Sequence, residues 1–179
     1  MPPTHVKISL AHCQDFVVLP ISDIAPHSKM VEAVSTLSAD EDTLNITVDI
    51  ESCKPTKATL EALIEYIALI RSQAPSVVRQ ASNDITALVS QTELAFLSRQ
   101  VQHDDREEMK RLLQLGCFLQ MESLRNLTAA WWACGITKIV EEHADHDECV
   151  ARLREFVGVE NDWSQEELAV LREQAKWAQ

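Results

Sequence analysis

Three side chains in this sequence have the spacing of metal ligands. His143, His146 and Cys149 recur at every third position, with Asp145 and Asp147 between them. On one helical face, two imidazoles and a thiolate could ligate zinc. However, no second Cys/His group with finger-like spacing exists, and Asp-rich polar segments often contain histidines. No metal is expected. Cys117 is the candidate nucleophile, but no His–Asp arrangement is recognisable around it, and a buried thiol is commonly inert. A thiol or zinc hydrolase built on Cys149 and His146 is the enzyme reading, and it lacks the rest of its constellation. Phosphate chemistry is disfavoured too. The only glycines, Gly116, Gly135 and Gly158, stand too far apart for a phosphate-cradling loop. The expectation is a chain without catalytic residues and without a cofactor.

Composition narrows the field further. In 179 residues, 46% are hydrophobic and 25% charged, enough for one folded domain with or without a small appendage. With 28 acidic against 16 basic side chains the formal charge is −12, so the summed field repels phosphate and nucleic acid is not an expected partner. Apolar runs fall far short of the roughly 20 residues of a membrane span, so no membrane is expected either. Met1 to His5 opens no signal peptide, because no apolar run follows. Five cysteines, an odd number at irregular spacing, read as reduced thiols of the cytoplasm and nucleus.

The elements that would position a binding surface follow from periodicity. Val6, Ile8 and Leu10 alternate with Lys7 and Ser9, and Phe16 to Leu19 is a second apolar run, which together predict a β-hairpin with a longer loop. Met30, Val31, Val34 and Leu37 have helical spacing. Leu44, Ile46, Val48 and Ile50 predict a third strand. A helix capped by Thr56 carries the stripe Leu60, Leu63, Ile64, Ile67 and Ile70, and a loop or linker spans about 71–83. Beyond it only helices are expected. They carry Ile85, Leu88 and Val89, then Leu94, Phe96 and Leu97, then Met109, Leu112, Leu113 and Leu115, with Gly116 as an interruption. Ser123 is expected to cap a longer helix with Leu124, Leu127, Trp131 and Cys134 on one line, followed by Ile136, Ile139 and Val140. Val150, Leu153 and Val157 stripe another helix that Gly158 stops, and the capping box Ser164 to Glu167 opens a last one with Leu168, Leu171 and Ala175. Strands first and helices afterwards predict an α+β fold, a small sheet covered by helices.

All four tryptophans, Trp131, Trp132, Trp163 and Trp177, lie in the last 49 residues. They either fill a small helical core or meet a partner, where tryptophan is enriched among hot spots. Adjacent positions on a helix point about 100° apart, so Trp131 and Trp132 are not expected to share one core. From residue 140 onward, 11 acids against 4 bases give a net −7, read as a solvated face or as a surface that steers a basic partner.

Gly158-Val159-Glu160-Asn161-Asp162-Trp163-Ser164-Gln165-Glu166-Glu167, with Lys176-Trp177 after it, resembles the C-terminal signature of the S-phase kinase-associated adaptor family of SCF ubiquitin ligases. That signature is an Asn-Asp-aromatic-Ser/Thr turn, acidic residues opening a helix, and a tryptophan near the end. Phe118-Leu119 followed by Leu124 and Leu127 resembles the family's Tyr-Leu step and the helix after it, and the first 70 residues show the hairpin, helix, strand, helix order of its BTB/POZ domain.

The resemblance implies a BTB/POZ domain over 4–140 and a C-terminal helical extension over 144–179. It implies a non-catalytic adaptor bridging F-box substrate receptors to the cullin of an SCF-type ligase, in cytoplasm and nucleus. Leu127, Trp131, Asn161, Asp162, Trp163, Leu168, Leu171 and Trp177 would face the F-box protein, and Cys117 and Phe118 the cullin. At the last two positions the family typically has Asn-Tyr, whose amide and hydroxyl hydrogen bonds a thiol and a phenyl ring cannot supply. The alternative is accordingly an adaptor-like scaffold that binds an F-box protein in a cullin-independent assembly such as a kinetochore complex. Unpartnered, such a chain is a possible homodimer.

Overall fold

The computed structural model describes residues 3–38, 42–72, 82–101, 106–159, 167 and 170. Strands β1 (His5–Leu10), β2 (Phe16–Pro20) and β3 (Thr43–Val48) form one sheet in the order β2-β1-β3. β1 and β2 are antiparallel, with Ile8 opposite Val17, and β1 and β3 are parallel, with Ile8 opposite Ile46. A parallel neighbour needs a crossover. Helix α1 (Ile21–Ile24), a 3₁₀ turn (Ala25–His27) and helix α2 (Lys29–Leu37) lie between β2 and β3 in the chain. The period-2 pattern decides the faces: Val6, Ile8, Leu10, Leu19, Leu44, Ile46 and Val48 are buried, while Lys7, Ser9, Phe16, Val18, Asn45 and Thr47 lie on the other side.

Helices α3 (Lys57–Ser72), α4 (Gln91–Val101), α5 (Arg106–Phe118) and α6 (Glu122–Glu142) complete the core with Leu60, Leu63, Tyr66, Phe96, Leu112, Leu115, Leu124 and Leu127. Tyr66 and Phe96 meet with ring centroids 5.4 Å apart. The Thr56 hydroxyl accepts from Thr59 N–H at the start of α3, as the sequence predicts. Helix α4 opens with a capping box: the buried Glu93 carboxylate accepts from Ser90 N–H (2.9 Å) and Ser90 Oγ (2.8 Å), and Ser90 Oγ accepts from Glu93 N–H. Helix α7 (His146–Val157) begins at Asp145, whose carboxylate accepts from Glu148 N–H at 2.9 Å, and ends at Gly158 in the left-handed region, φ 74°.

The fold is thus mixed α and β, and among the described residues every element after α3 is helical. Several local expectations are corrected. Ile64 is exposed rather than part of the buried stripe of α3. β3 ends at Val48, so Ile50 lies beyond it. Ile85, Leu88 and Val89 yield a single 3₁₀ turn (Ile85–Ala87), at whose start the Asp84 carboxylate accepts from Thr86 N–H at 2.8 Å. Gly116 does not interrupt α5, which continues to Phe118, and Ser123 does not cap α6, which begins at Glu122. The capping box at Ser164 to Glu167 and the helix it would open fall mostly outside the described residues. The chain separates into two compact units, Met1–Lys138 and Ile139–Gln179.

Candidate partner-binding surface

The end of α5 places Cys117 and Phe118. Met121 N–H donates to the Gly116 carbonyl (2.8 Å) and Gln120 N–H to the Cys117 carbonyl (3.1 Å), with Gln120 at φ 53°. This is a Schellman stop made with glutamine where glycine is usual. It leaves Cys117 exposed and Phe118 half-buried against the core, both on the last turn of the helix. Gly116 is needed one turn earlier for closeness: a Cβ there would stand 3.1 Å from the Arg125 backbone nitrogen and 3.4 Å from Leu124 Cγ. The turn from α5 into α6 is therefore tight enough that two helical backbones nearly touch.

Along α6, Leu124, Leu127, Thr128, Ala130 and Cys134 are buried. The Thr128 hydroxyl donates back to the Leu124 carbonyl at 2.9 Å, which keeps a polar group in this face without leaving it unsatisfied. Leu127, implied as a partner contact, is 2% exposed and spends its surface inside the chain. Trp131 and Trp132 correct the expectation that they part company. Both are half-buried and packed on the core, edge to face, with centroids 5.1 Å apart and ring planes at 86°. Ile136 and Val140 farther along are exposed.

In the second unit, α7 carries Val150, Leu153, Phe156 and Val157 at helical spacing and buries none of them. Its first turn is acidic with Asp147 and Glu148, the sign favoured at a helix N-terminus. Arg152 pairs with Glu155 at 3.0 Å on the exposed side. Val150, Leu153 and Val157 are legible as a stripe in the sequence, and Phe156 adds to it. The signal that makes them a candidate surface is that no described residue of α7 is buried. Asn161, Asp162, Trp163, Leu168, Leu171 and Trp177 lie outside the described residues.

The residues with possible chemistry do not converge. His143 Nδ1 contacts Glu148 Oε1 at 3.4 Å, and His146 Nδ1 contacts its neighbour Asp147 at 3.8 Å. Among the described residues no three His, Cys, Asp or Glu side chains gather as a metal site. Burial pushes the Cys53 thiol up, with Glu107 adding to the rise, and burial likewise raises that of Cys134, so neither is poised as a thiolate. Among the described residues no helix is long and apolar enough to cross a membrane. What the arrangement offers is apolar area left exposed or half-exposed on helices. Compared with family models and with curated proteins, the chain finds no match.

Proposed function

We propose that this chain is a non-catalytic adaptor of the BTB/POZ kind, whose C-terminal helices take up the F-box of a substrate receptor and link it to a cullin-RING ubiquitin ligase. The observation that carries the reading is α7, an amphipathic helix of 12 residues that exposes or half-exposes its whole apolar stripe. A helix this short is marginal alone in water and draws its stability from covering such a face. A guest helix laid along Val150, Leu153 and Val157 would do so, as in helix-in-groove recognition. Two further features support it. The strand order β2-β1-β3 with a parallel β1/β3 pair agrees with the hairpin, helix, strand, helix order of a POZ domain. The net −7 after residue 140 suits a basic partner surface.

The exposed thiol of Cys117 favours a second reading, an F-box-binding scaffold in a cullin-independent complex, because that position offers no amide to a cullin. Affinity purification of the full chain from its native cells separates the two. The adaptor recovers F-box proteins with cullin and RING subunits, the scaffold recovers F-box proteins without them, and recovery of no F-box protein rejects both.

A further inference from the structure

Helix α7 buries none of its stripe: Val150, Leu153 and Phe156 are half-exposed and Val157 is exposed. The helix then stops abruptly. Gly158 takes the left-handed conformation and Val159 N–H donates to the Arg154 carbonyl at 3.0 Å, a Schellman turn that leads the chain out of the helix axis. Beyond residues 159–163, the capping box Ser164 to Glu167 opens in sequence a second stripe, Leu168, Leu171 and Ala175. Glu167 and Val170, the two described residues of that segment, are both helical and both exposed. At 100° per residue they stand on one side of their helix, and the positions of Leu168, Leu171 and Ala175 are centred about 100° round from it. One compact unit, Ile139–Gln179, contains α7 and this segment together.

We propose that residues 164–177 fold back antiparallel along α7 and cover its stripe, so that an F-box helix reaches the stripe only by displacing this segment of the chain itself. The displacement rests on the adaptor reading above; the cover does not. A connection over 159–163 has the length of an antiparallel helix hairpin. Across that hairpin Leu168 comes level with Leu153, and Leu171 with Val150. Charge selects the same direction. Helix α7 has Asp147 and Glu148 in its first turn and Arg152 and Arg154 toward its end, and the segment has Glu166 and Glu167 first and Arg172 and Lys176 later. Antiparallel, the acidic start of each lies beside the basic end of the other, whereas parallel helices would set acid against acid. The tether adds to this. Through a short linker the segment stands at an effective concentration on the order of millimolar, which a free guest must overcome by affinity.

Amide hydrogen exchange of the full chain, with no partner added, reads the cover. Leu168→Asp combined with Leu171→Asp speeds exchange of the α7 amides about tenfold or more. Val170→Asp, on the exposed side, leaves it unchanged, and the α3 amides report that the core is retained. Exchange in α7 that is indifferent to the double variant, or equally sensitive to Val170→Asp, overturns the proposal. So does protection that falls on dilution, because a second copy then supplies the cover. A disulfide between Leu153→Cys and Leu168→Cys, in a chain carrying Cys149→Ser, reads the displacement. The reduced chain captures F-box protein, and the oxidised chain loses capture about tenfold or more. A pair that does not close within one chain, or capture unaffected by the closed pair, overturns the autoinhibition. Protection as expected with no F-box protein captured by either form rejects the adaptor reading and leaves the cover standing.

Discussion

Ser28 donates its hydroxyl proton to the carbonyl of Leu119 across 2.5 Å, and the two residues lie 91 positions apart. The same oxygen accepts from Val31 N–H at 3.2 Å and so caps α2. One side chain that is 1% exposed thereby ties the crossover helix of the sheet to the residue that follows α5, Leu119, whose own N–H bonds back to the Leu115 carbonyl. Ser28→Ala removes the cap, worth about 1 kcal/mol, and leaves the Leu119 carbonyl short of a donor, worth about 1–3 kcal/mol. Urea unfolding followed by tryptophan fluorescence should show a loss of about 2–4 kcal/mol. A loss below about 0.5 kcal/mol would mean that the bond does not join the two halves of the core.

Tyr66 gives a prediction in pH. It is the chain's single tyrosine and fully buried. Burial pushes its phenol up to about 12; Glu93 adds to the rise and Ser123 opposes it, although the phenol oxygen completes no hydrogen bond. Unfolded, a tyrosine titrates near pH 10. Between about pH 10 and 12 the folded chain keeps a proton that the unfolded chain has released, so stability is whole below the lower value and falls as pH rises through the window. The loss reaches on the order of 2–3 kcal/mol. With one tyrosine, ultraviolet absorbance of the tyrosinate reports this group alone. Tyr66→Phe should abolish that alkaline loss, and at neutral pH it should raise stability by about 1 kcal/mol, since a desolvated hydroxyl is removed.

The fold was legible where pattern and tertiary demand agree. Alternation at Val6, Ile8 and Leu10, the cap at Thr56 and the stop at Gly158 each reflect one local rule, and each stands in the structure. What was not legible depended on neighbours distant in sequence. Gly116 reads as a helix breaker, yet it is kept free of a side chain by the backbone of Arg125. The turn that does end α5 uses Gln120 at positive φ, which no glycine announces. Counting 100° per residue parted Trp131 from Trp132, but large rings turn on their own torsions, and these two stack edge to face on one core. The Ser90–Glu93 capping box is present in the sequence only as a Ser-x-x-Glu spacing. Of the candidate site, Leu127 and the stripe of α7 were both apolar at helical spacing; only burial tells a core residue from a surface one.

Gly116 carries its own test. In the interior of α5 a Gly→Ala change would ordinarily gain about 1 kcal/mol of helix propensity. Here the new methyl would press on the Arg125 backbone nitrogen at 3.1 Å, and main chain at the start of α6 yields less readily than the tip of a side chain. Gly116→Ala is expected to lower stability by about 1 kcal/mol and Gly116→Val by about 3 kcal/mol. A more stable alanine variant, measured by thermal melting, would show that α6 can give way.

Leu127 and Leu153 separate core from binding surface, because both are leucines on a helical stripe and only the first is buried. Leu127→Ala empties a filled core position and should cost about 2–5 kcal/mol in unfolding. It should weaken F-box capture only as far as it unfolds the chain. Leu153→Asp, combined with Val157→Asp one turn on, changes a half-buried and an exposed position and should cost less in unfolding than Leu127→Ala. A guest helix would meet two desolvated carboxylates there, so capture of an F-box protein should fall about a hundredfold, the scale of a hot spot worth about 2–3 kcal/mol. If capture survives the double aspartate variant, α7 is not the surface that receives the receptor. If Leu127→Ala loses capture while its unfolding curve stays in place, the contact implied for Leu127 by its sequence context is real, and the helix must open to make it.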